Sequence, residues 1–300
     1  MRWRSGRPGS REGGTSEQPA LLPRQPRLPQ PRLLRLRIGG LITSPSRVDL
    51  HSHTSASDGN LSSAALVARA ASLGIEVLAI TDHDTTDGVP VAVAEAQNQG
   101  ITLVPGVEVS AISGQEEIHL LGLFVDLDND ELQAVLARTR EARWARAQRM
   151  LARLTMLGLP VDWGRVIAHA NGSHSIGRPH VAATLLEAGH VSSYNEAFEL
   201  WIGRGRPAYV ERYKLSPEEA IQLIRRSGGL AVLAHPYIYN WKGECKVGLN
   251  LRRWLPRLRD AGLEGMEVYY PHYGRAVSRH LLALAVKFGL LIAGGSDYHG

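Results

Sequence analysis

Residues 48–59 read VDLHSHTSASDG and place two histidines, His51 and His53, at alternate positions. The apolar start of this segment favours a strand, in which residues two apart project from the same face, so both imidazoles can reach one metal ion. Asp58 follows in a turn, where Gly59 allows the backbone to fold the carboxylate back toward the strand end. The segment therefore predicts the beginning of a metal site.

Further histidines and carboxylates occur where later apolar segments end. A single strand-end histidine is more often an ordinary hydrogen-bonded group, and Asp82 or Asp84 could simply cap a following helix. So many imidazoles and carboxylates at successive strand ends would repel one another or stay unsatisfied unless cations held them. The predicted ligands are His51, His53, Asp58, His83, Glu108, His119, His235, Asp297 and His299.

The types of these side chains limit the metal and the reaction. Cys245 is the single cysteine of the chain, so a cysteine zinc site is excluded. Imidazole with carboxylate suits Mn²⁺, Fe²⁺ or Zn²⁺ and does not decide among them. Such a cluster lowers the pKa of bound water and clamps phosphate oxygens during in-line displacement, which favours hydrolysis of a phosphate ester. Walker, GxSxG and dinucleotide-binding GxGxxG motifs do not occur in a supporting context, which argues against ATP-dependent transfer, serine hydrolysis and redox chemistry.

The elements that position the predicted ligands alternate between strand and helix patterns. Strands are predicted at 76–81, 101–104, 117–125, 229–235, 265–269 and 290–299, and helices at 61–73, 89–99, 130–157, 216–227 and 276–288. This alternation predicts an α/β fold with a parallel sheet or barrel. Ligands in such folds gather at the carboxyl ends of strands, where the histidines and acidic residues fall.

Composition divides the chain into four parts. Residues 1–47 form a Pro/Arg-rich extension that we expect to be disordered. Residues 48–127 and 214–300 carry the alternating pattern, and residues 128–213 show helical periods with few strand signals, which predicts a helical insertion. The chain stops directly after the last ligand pair, which is compatible with an incomplete C-terminus.

The net charge of +5 belongs to the extension rather than to the body of the chain. Residues 1–47 contain ten arginines against two acidic residues, whereas the remainder has 24 basic and 27 acidic residues. The body therefore does not resemble a protein that coats nucleic acid nonspecifically. The single cysteine and the lack of a continuous apolar signal segment predict a cytoplasmic protein without a membrane partner.

Six motifs resemble, in order, those of the PHP (polymerase and histidinol phosphatase) family: VDLHSHTSASDG, AITDHDT, PGVEVSA, IHLLG, LAHP and GSDYHG. The resemblance covers about residues 48–300. It implies a distorted (β/α)7 barrel with three divalent ions, and Mn²⁺ is the first expectation for them.

The resemblance also implies how the ligands are shared. The three ions would be held by His51, His53, Glu108 and Asp297; by Glu108, His119 and His235; and by Asp58, His83 and His299. Glu108 would bridge two of them. His235 or His299 would assist by proton transfer if not fully occupied as a ligand.

Within the family, the insertion and the sequence IGRPH at 176–180 resemble the branch of 3′,5′-nucleoside bisphosphate phosphatases, which includes 5′-to-3′ exoribonucleases acting on short RNA. This implies removal of the 3′-phosphate from pAp-like nucleotides. A bisphosphate needs a second anion site, for which guanidinium groups are suited, and the candidates are Arg143, Arg146, Arg178 and His180. The spacing of the helix 130–157 arginines fits a solvated face equally well.

Two alternative functions remain open from the sequence. One is a phosphatase for a non-nucleotide such as histidinol phosphate. The other is a non-catalytic metal-binding domain like those attached to some bacterial polymerases, against which the full ligand set and the lack of a polymerase segment argue.

Overall fold

The computed structural model describes residues 47–114, 116–173, 175–239 and 245–300. The predicted disorder of residues 1–47 therefore lies outside the described residues, except at Arg47. No helix in the described ranges is long and apolar enough to cross a membrane.

The strands and helices follow one another in the predicted alternation. The strands are β1 (Val48–Asp49), β2 (Val77–Ile80), β3 (Thr102–Ser113), β4 (Glu116–Leu123), β5 (Leu230–Leu233), β6 (Tyr237–Tyr239), β7 (Cys245–Gly248), β8 (Gly265–Tyr269) and β9 (Leu291–Gly294). The helices are α1 (Ser63–Ser72), α2 (Val89–Gln99), α3 (Asp130–Met156), α4 (Trp163–Ala170), α5 (Arg178–Glu187), α6 (Tyr194–Glu196), a π-helix (Ala197–Ile202), α7 (Pro217–Arg226), α8 (Leu251–Asp260) and α9 (Arg275–Phe288).

Seven strands form one sheet in the order β1-β2-β3-β4-β5-β8-β9, and β6 and β7 form a separate hairpin. The two ends of the sheet approach each other. The amide of Leu50 donates to the carbonyl of Gly294 at 3.2 Å, and the amide of Asp297 donates to the carbonyl of His51 at 2.8 Å. The sheet is thus a nearly closed barrel surrounded by helices, and the predicted α/β fold with a distorted (β/α)7 barrel is confirmed.

Strand β4 runs against both of its neighbours, whereas the other adjacent strands are parallel. In its hairpin with β3, His119 pairs with Ser110, near the end of β3. Because β4 is reversed, a residue near its beginning lies at the same end of the barrel as the carboxyl ends of the parallel strands. This explains how His119, which lies early in its strand, comes close to candidate ligands that lie after the ends of their strands.

Local sequence signals set most element boundaries correctly. Helix α7 begins after Ser216, whose hydroxyl accepts from the amide of Glu219 at 3.2 Å while the Glu219 carboxylate accepts from the amide of Ser216 at 2.8 Å. This capping box satisfies amides that the first helical turn leaves unpaired. Strand β3 is longer than predicted because it continues through Pro105 to Ser113. Helix α8 and the β6–β7 hairpin were not predicted.

The region from α3 to the π-helix packs around an apolar cluster of its own, including Met150, Leu154, Ile176 and Leu185. The beginning of α3, at Leu132, belongs instead to a large cluster shared with barrel strands. A helical insertion at residues 128–213 remains a prediction that this separate cluster supports.

Candidate metal centre and basic cluster

The nine predicted ligands converge at one end of the barrel. Those from the beginning of the chain follow β1 and β2, and those from its end follow β5 and β9. Glu108 lies in the middle of β3 and is fully buried between them. Among the described residues, three groups of histidines and carboxylates have donor atoms within 4.8 Å of one another: His51, His53, Glu108 and Asp297; His83, Glu108 and His119; and His53, Asp58, His83 and His299.

The first group has the four members that the sequence resemblance implied. Oδ1 of Asp297 lies 3.1 Å from Nε2 of both His51 and His53. Oε2 of Glu108 lies 3.3 Å and 3.2 Å from the same two nitrogens. Two carboxylate oxygens and two imidazole nitrogens therefore surround one point.

The second group shares Glu108 with the first group. Nδ1 of His119 lies 2.7 Å from Oε1, and Nδ1 of His83 lies 3.1 Å from Oε2. His235, which the resemblance placed here, reaches Oε1 of Glu108 through Nε2 at 3.1 Å but does not belong to the compact group. Glu108 contacts histidines through both of its oxygens, as a bridging ligand would.

The third group is looser and more open than the others. The distances from the Asp58 carboxylate to His53, His83 and His299 are 3.7, 3.9 and 3.4 Å. The His299 side chain is 39% exposed, whereas those of His51 and His53 are fully buried. The third group thus lies at the mouth of the centre.

The residues present fit divalent metal ions. The Nδ1 atoms of His53 and His83 are buried and make no hydrogen bond of acceptable geometry among the described residues, although Nδ1 of His83 lies 3.1 Å from Oε2 of Glu108. Leaving such nitrogens unpaired is costly in a protein interior, and a cation would satisfy them.

The electrostatics of the centre point the same way. Burial disfavours the charged form of His53, but the carboxylates of Asp297 and Glu108 outweigh it and raise its pKa to about 10. Burial likewise opposes ionisation of Glu108, yet the surrounding imidazoles, with His83 and His119 foremost, hold its pKa well below the ordinary value. These carboxylates therefore stay ionised at neutral pH and attract cations.

Two residues that sequence reasoning missed support the ligands. Glu267, fully buried in β8, lies 3.2 Å from Nδ1 of His51 through each of its oxygens and accepts from the amide of His235 at 2.7 Å. Tyr270 donates from its hydroxyl to Oδ2 of Asp297 at 2.8 Å. Such partners orient metal ligands. A signal for Glu267 existed, since it is a carboxylate in the middle of the predicted strand GMEVY.

Asp82 and Asp84 do not cap a helix. Asp82 accepts from the amide and hydroxyl of Thr54 at 2.8 and 2.7 Å and from the hydroxyl of Ser57 at 2.6 Å, so it holds the loop that carries Asp58. Asp84 accepts from Nε of Arg143 at 2.7 Å and from Nη2 of Arg212 at 3.1 Å.

Beside the metal centre lies a group that we name the basic cluster: Arg143, Arg146, Arg178, Arg212 and Lys214. Its carboxylate partners are Asp84, next to His83, and Glu117, two residues from His119. Lys214 lies 2.5 Å from Oε1 of Glu117, and Arg178 lies 3.8 Å from Oε2. Five cationic side chains thus share two carboxylates, which leaves an excess of positive charge.

The predicted anion-binding residues have different environments. Arg143 is buried and occupied by Asp84 and by the hydroxyl of Ser110 at 3.1 Å. Arg146 is 4% exposed, and its Nε has no hydrogen-bond partner among the described residues. Burial and the neighbouring Arg212 and Arg143 guanidinium groups lower the pKa of Arg146 well below its ordinary value. The solvated-face interpretation therefore does not apply to these two arginines.

His180, a predicted anion-binding residue, has a structural contact, and two cationic residues of the basic cluster were not predicted. Nδ1 of His180 accepts from the amide of Gly177 at 3.0 Å, so this nitrogen caps α5. Arg212 and Lys214 were missed, because they lie in an irregular segment after the helices without a periodic signal. Nε of Arg212 is buried and also lacks a partner within the described ranges.

Comparison with known proteins agrees with this geometry. A model of the PHP domain matches residues 49–190. The chain is 36% identical to the 5′-3′ exoribonuclease Rnm of Salmonella typhimurium, with 84% of each chain covered. It is 33% identical to the 3′,5′-nucleoside bisphosphate phosphatase of Chromobacterium violaceum, with 85% of this chain and 87% of the relative covered.

A solved structure described as a candidate metal-dependent phosphoesterase, from Bifidobacterium adolescentis, superimposes with a TM-score of 0.76 at 32% identity. It covers 84% of this chain and 87% of its own. The fold, the site and these relatives together define a phosphoester hydrolase. The chain belongs to the PHP domain family.

Proposed function

We propose that this enzyme removes the 3′-phosphate of nucleoside 3′,5′-bisphosphates and leaves the nucleoside 5′-monophosphate. The observation that carries the proposal is the buried basic cluster directly beside the metal centre. The contacts Glu117–His119 at 3.5 Å and Glu117–Lys214 at 2.5 Å join the two sites. A substrate with one phosphate at the metals and a second on the cations matches this pair of sites.

The second phosphate is assigned to Arg146, Arg212 and Lys214. Arg146 and Arg212 are each at least 95% buried with an unpaired Nε, so a phosphate oxygen would satisfy donors that are otherwise left without a partner. Arg178 is less buried and flanks Glu117. Arg143 acts through Asp84 and Ser110 and holds the cluster against the barrel.

The nine candidate ligands would hold three divalent ions, with Mn²⁺ as the first expectation and Fe²⁺ or Zn²⁺ as alternatives. When bound, the metals supply charge stabilisation for phosphate oxygens and activation of water. Glu267 orients His51, and Tyr270 orients Asp297. His299, half-exposed with Nε2 3.4 Å from Asp58, is the better placed of the two proton-transfer candidates, since His235 is only 9% exposed and lies against Glu108.

A related activity is proposed on short RNA. A 5′-phosphorylated oligonucleotide presents the same two neighbouring phosphates as a bisphosphate, with the 5′-phosphate at the chain end. If this 5′-phosphate binds to the basic cluster, the first phosphodiester lies at the metal centre and the RNA is cleaved from its 5′ end. We propose a cytoplasmic location, as the single cysteine suggests.

The experiment that tests this function is phosphate release from pAp by the purified protein with Mn²⁺, beside a 5′-phosphorylated RNA, histidinol phosphate and a chelator control. We expect chelator-sensitive turnover of pAp. Turnover of histidinol phosphate with none of pAp would overturn the nucleotide assignment. Bound metal with turnover of none of these substrates would indicate a non-catalytic domain.

A further inference from the structure

Two aromatic side chains, Tyr194 and Phe198, have no place in the function described so far. Tyr194, in α6, is 40% exposed, and its ring centroid is 5.8 Å from that of Phe198. Phe198 belongs to the π-helix. Single-turn π-helices are rare and occur frequently at functional sites.

Contacts connect this aromatic pair to the basic cluster. The guanidinium carbon of Arg178 lies 5.6 Å from the centroid of Phe198, and the same guanidinium group lies 3.8 Å from Glu117, the partner of Lys214. The pair is therefore joined to the cations that would bind the second phosphate.

A chain of contacts through Arg178 also links the pair to the metal centre. The geometric link is Glu117, which lies 3.8 Å from Arg178 and 3.5 Å from the candidate ligand His119. Burial and the negative charge of Asp58 also raise the pKa of the Tyr194 phenol. Tyr194 and Phe198 thus lie beside the arginine that links the basic cluster to the metal centre. The part of a substrate that joins its two phosphates would lie along them.

We propose that Tyr194 and Phe198 form the surface on which the nucleobase of the substrate stacks. The proposal rests on the function proposed above, because the nucleoside is what connects the two phosphates. The guanidinium group of Arg178 makes a cation–π contact with the ring of Phe198. Stacking uses the face of a base rather than its hydrogen-bonding edge, so adenine and guanine bisphosphates should be used within a few-fold of each other.

The test compares pAp with an abasic deoxyribose 3,5-bisphosphate in wild type, Tyr194→Ala and Tyr194→Phe. We expect wild type to prefer pAp by about tenfold in kcat/KM, as one stacked base contributes on this scale. Tyr194→Ala should raise KM for pAp about tenfold, change kcat little and leave the abasic ester unaffected. Tyr194→Phe keeps the ring and should behave as wild type.

Two controls separate stacking from other causes. Leu200→Ala alters a 49% exposed side chain on the same π-helix and should leave kcat and KM unchanged for both substrates. Calorimetric titration of both ligands into the unmodified protein, kept free of divalent metal by a chelator, measures the base preference without turnover. Equal affinity for pAp and the abasic ester would overturn the proposed stacking surface. Equal losses of kcat/KM for both substrates in Tyr194→Ala would do the same. Neither result would affect the two-phosphate function. Turnover of neither ligand by the Mn²⁺-loaded wild type would overturn the two-phosphate function, and the stacking surface with it.

Discussion

The hydroxyl of Tyr270 donates a 2.8 Å hydrogen bond to Oδ2 of Asp297. The other carboxylate oxygen, Oδ1, is left 3.1 Å from Nε2 of both His51 and His53. The tyrosine thus fixes which oxygen of Asp297 faces the candidate metal site. Burial, reinforced by the charge of Asp297, raises the Tyr270 pKa, so the phenol remains a donor across the working pH range.

Tyr270→Phe should therefore weaken metal binding by about 10- to 100-fold, since removal of groups that orient ligands has effects of this size. The measurement is metal content after dialysis against a buffered series of free Mn²⁺ concentrations. Tyr273→Phe is the matched control, because its hydroxyl bonds the backbone of Tyr237 instead. Equal metal affinity in both variants would contradict a positioning role for Tyr270.

Glu108→Ala should abolish turnover, with a loss of at least about 10³-fold, because it removes the carboxylate that contacts histidines in two groups. Glu108→Gln keeps the side-chain volume and should lose activity nearly as strongly, since one oxygen and the negative charge are gone. Circular dichroism confirms that each variant is folded. Substantial activity in a folded Glu108→Ala protein would exclude the bridging arrangement.

Arg143 and Arg146 are three residues apart on α3 and should respond in opposite ways to substitution by Met. Arg143→Met takes a partner from the buried Asp84 and should lower the free energy of unfolding by about 3 kcal/mol. Arg146→Met removes a buried guanidinium group with an unpaired Nε, so it should leave stability unchanged or higher.

Kinetics distinguish the two arginines further. Arg146→Met should raise KM for pAp at least tenfold while hydrolysis of a simple monophosphate is retained. Urea denaturation and substrate kinetics of both variants provide the measurement. Loss of stability in Arg146→Met without an effect on KM would show that this arginine is structural.

Substrate affinity should decrease above about pH 8. Burial lowers the pKa of Lys214 to about 8, with Glu117 opposing the shift and Arg212 adding to it. As pH rises through this value, the ammonium group loses its proton and no longer attracts the second phosphate. KM for pAp should therefore increase above pH 8 in wild type.

Lys214→Met provides the control for this pH dependence. Its KM should be high throughout, and the increase near pH 8 should be missing, because no titrating cation remains. A wild-type KM that is constant between pH 7 and 9 would contradict a role for Lys214 in binding phosphate.

The sequence predicted the α/β fold and the convergence of the candidate ligands because both depend on local patterns, whereas the (β/α)7 barrel was implied by the family resemblance. The HxH spacing in a strand places His51 and His53 on one face, and apolar segments followed by polar residues mark the strand ends. The reversal of β4 could not be read in this way, since strand direction follows from pairing across the sheet. His119 was predicted as a ligand although its position in the strand had no local explanation.

The basic cluster was predicted only in part for a similar reason. Arg143 and Arg146 lie at helical spacing, but helix periodicity does not tell a buried arginine from a solvated one. Arg212 and Lys214 lie in an irregular segment and meet Asp84 and Glu117 only through the tertiary fold. Tyr270 was missed because a single tyrosine after a strand carries no signal until its partner is known.

The most direct test of the account is the identity of the product formed from pAp labelled at its 3′-phosphate, in a single turnover with Mn²⁺ bound. The account predicts that the label is released as inorganic phosphate and that 5′-AMP remains, because the 5′-phosphate is held on the basic cluster. Formation of labelled 3′-AMP, with the 5′-phosphate released, would contradict the assignment of the two phosphates to their sites.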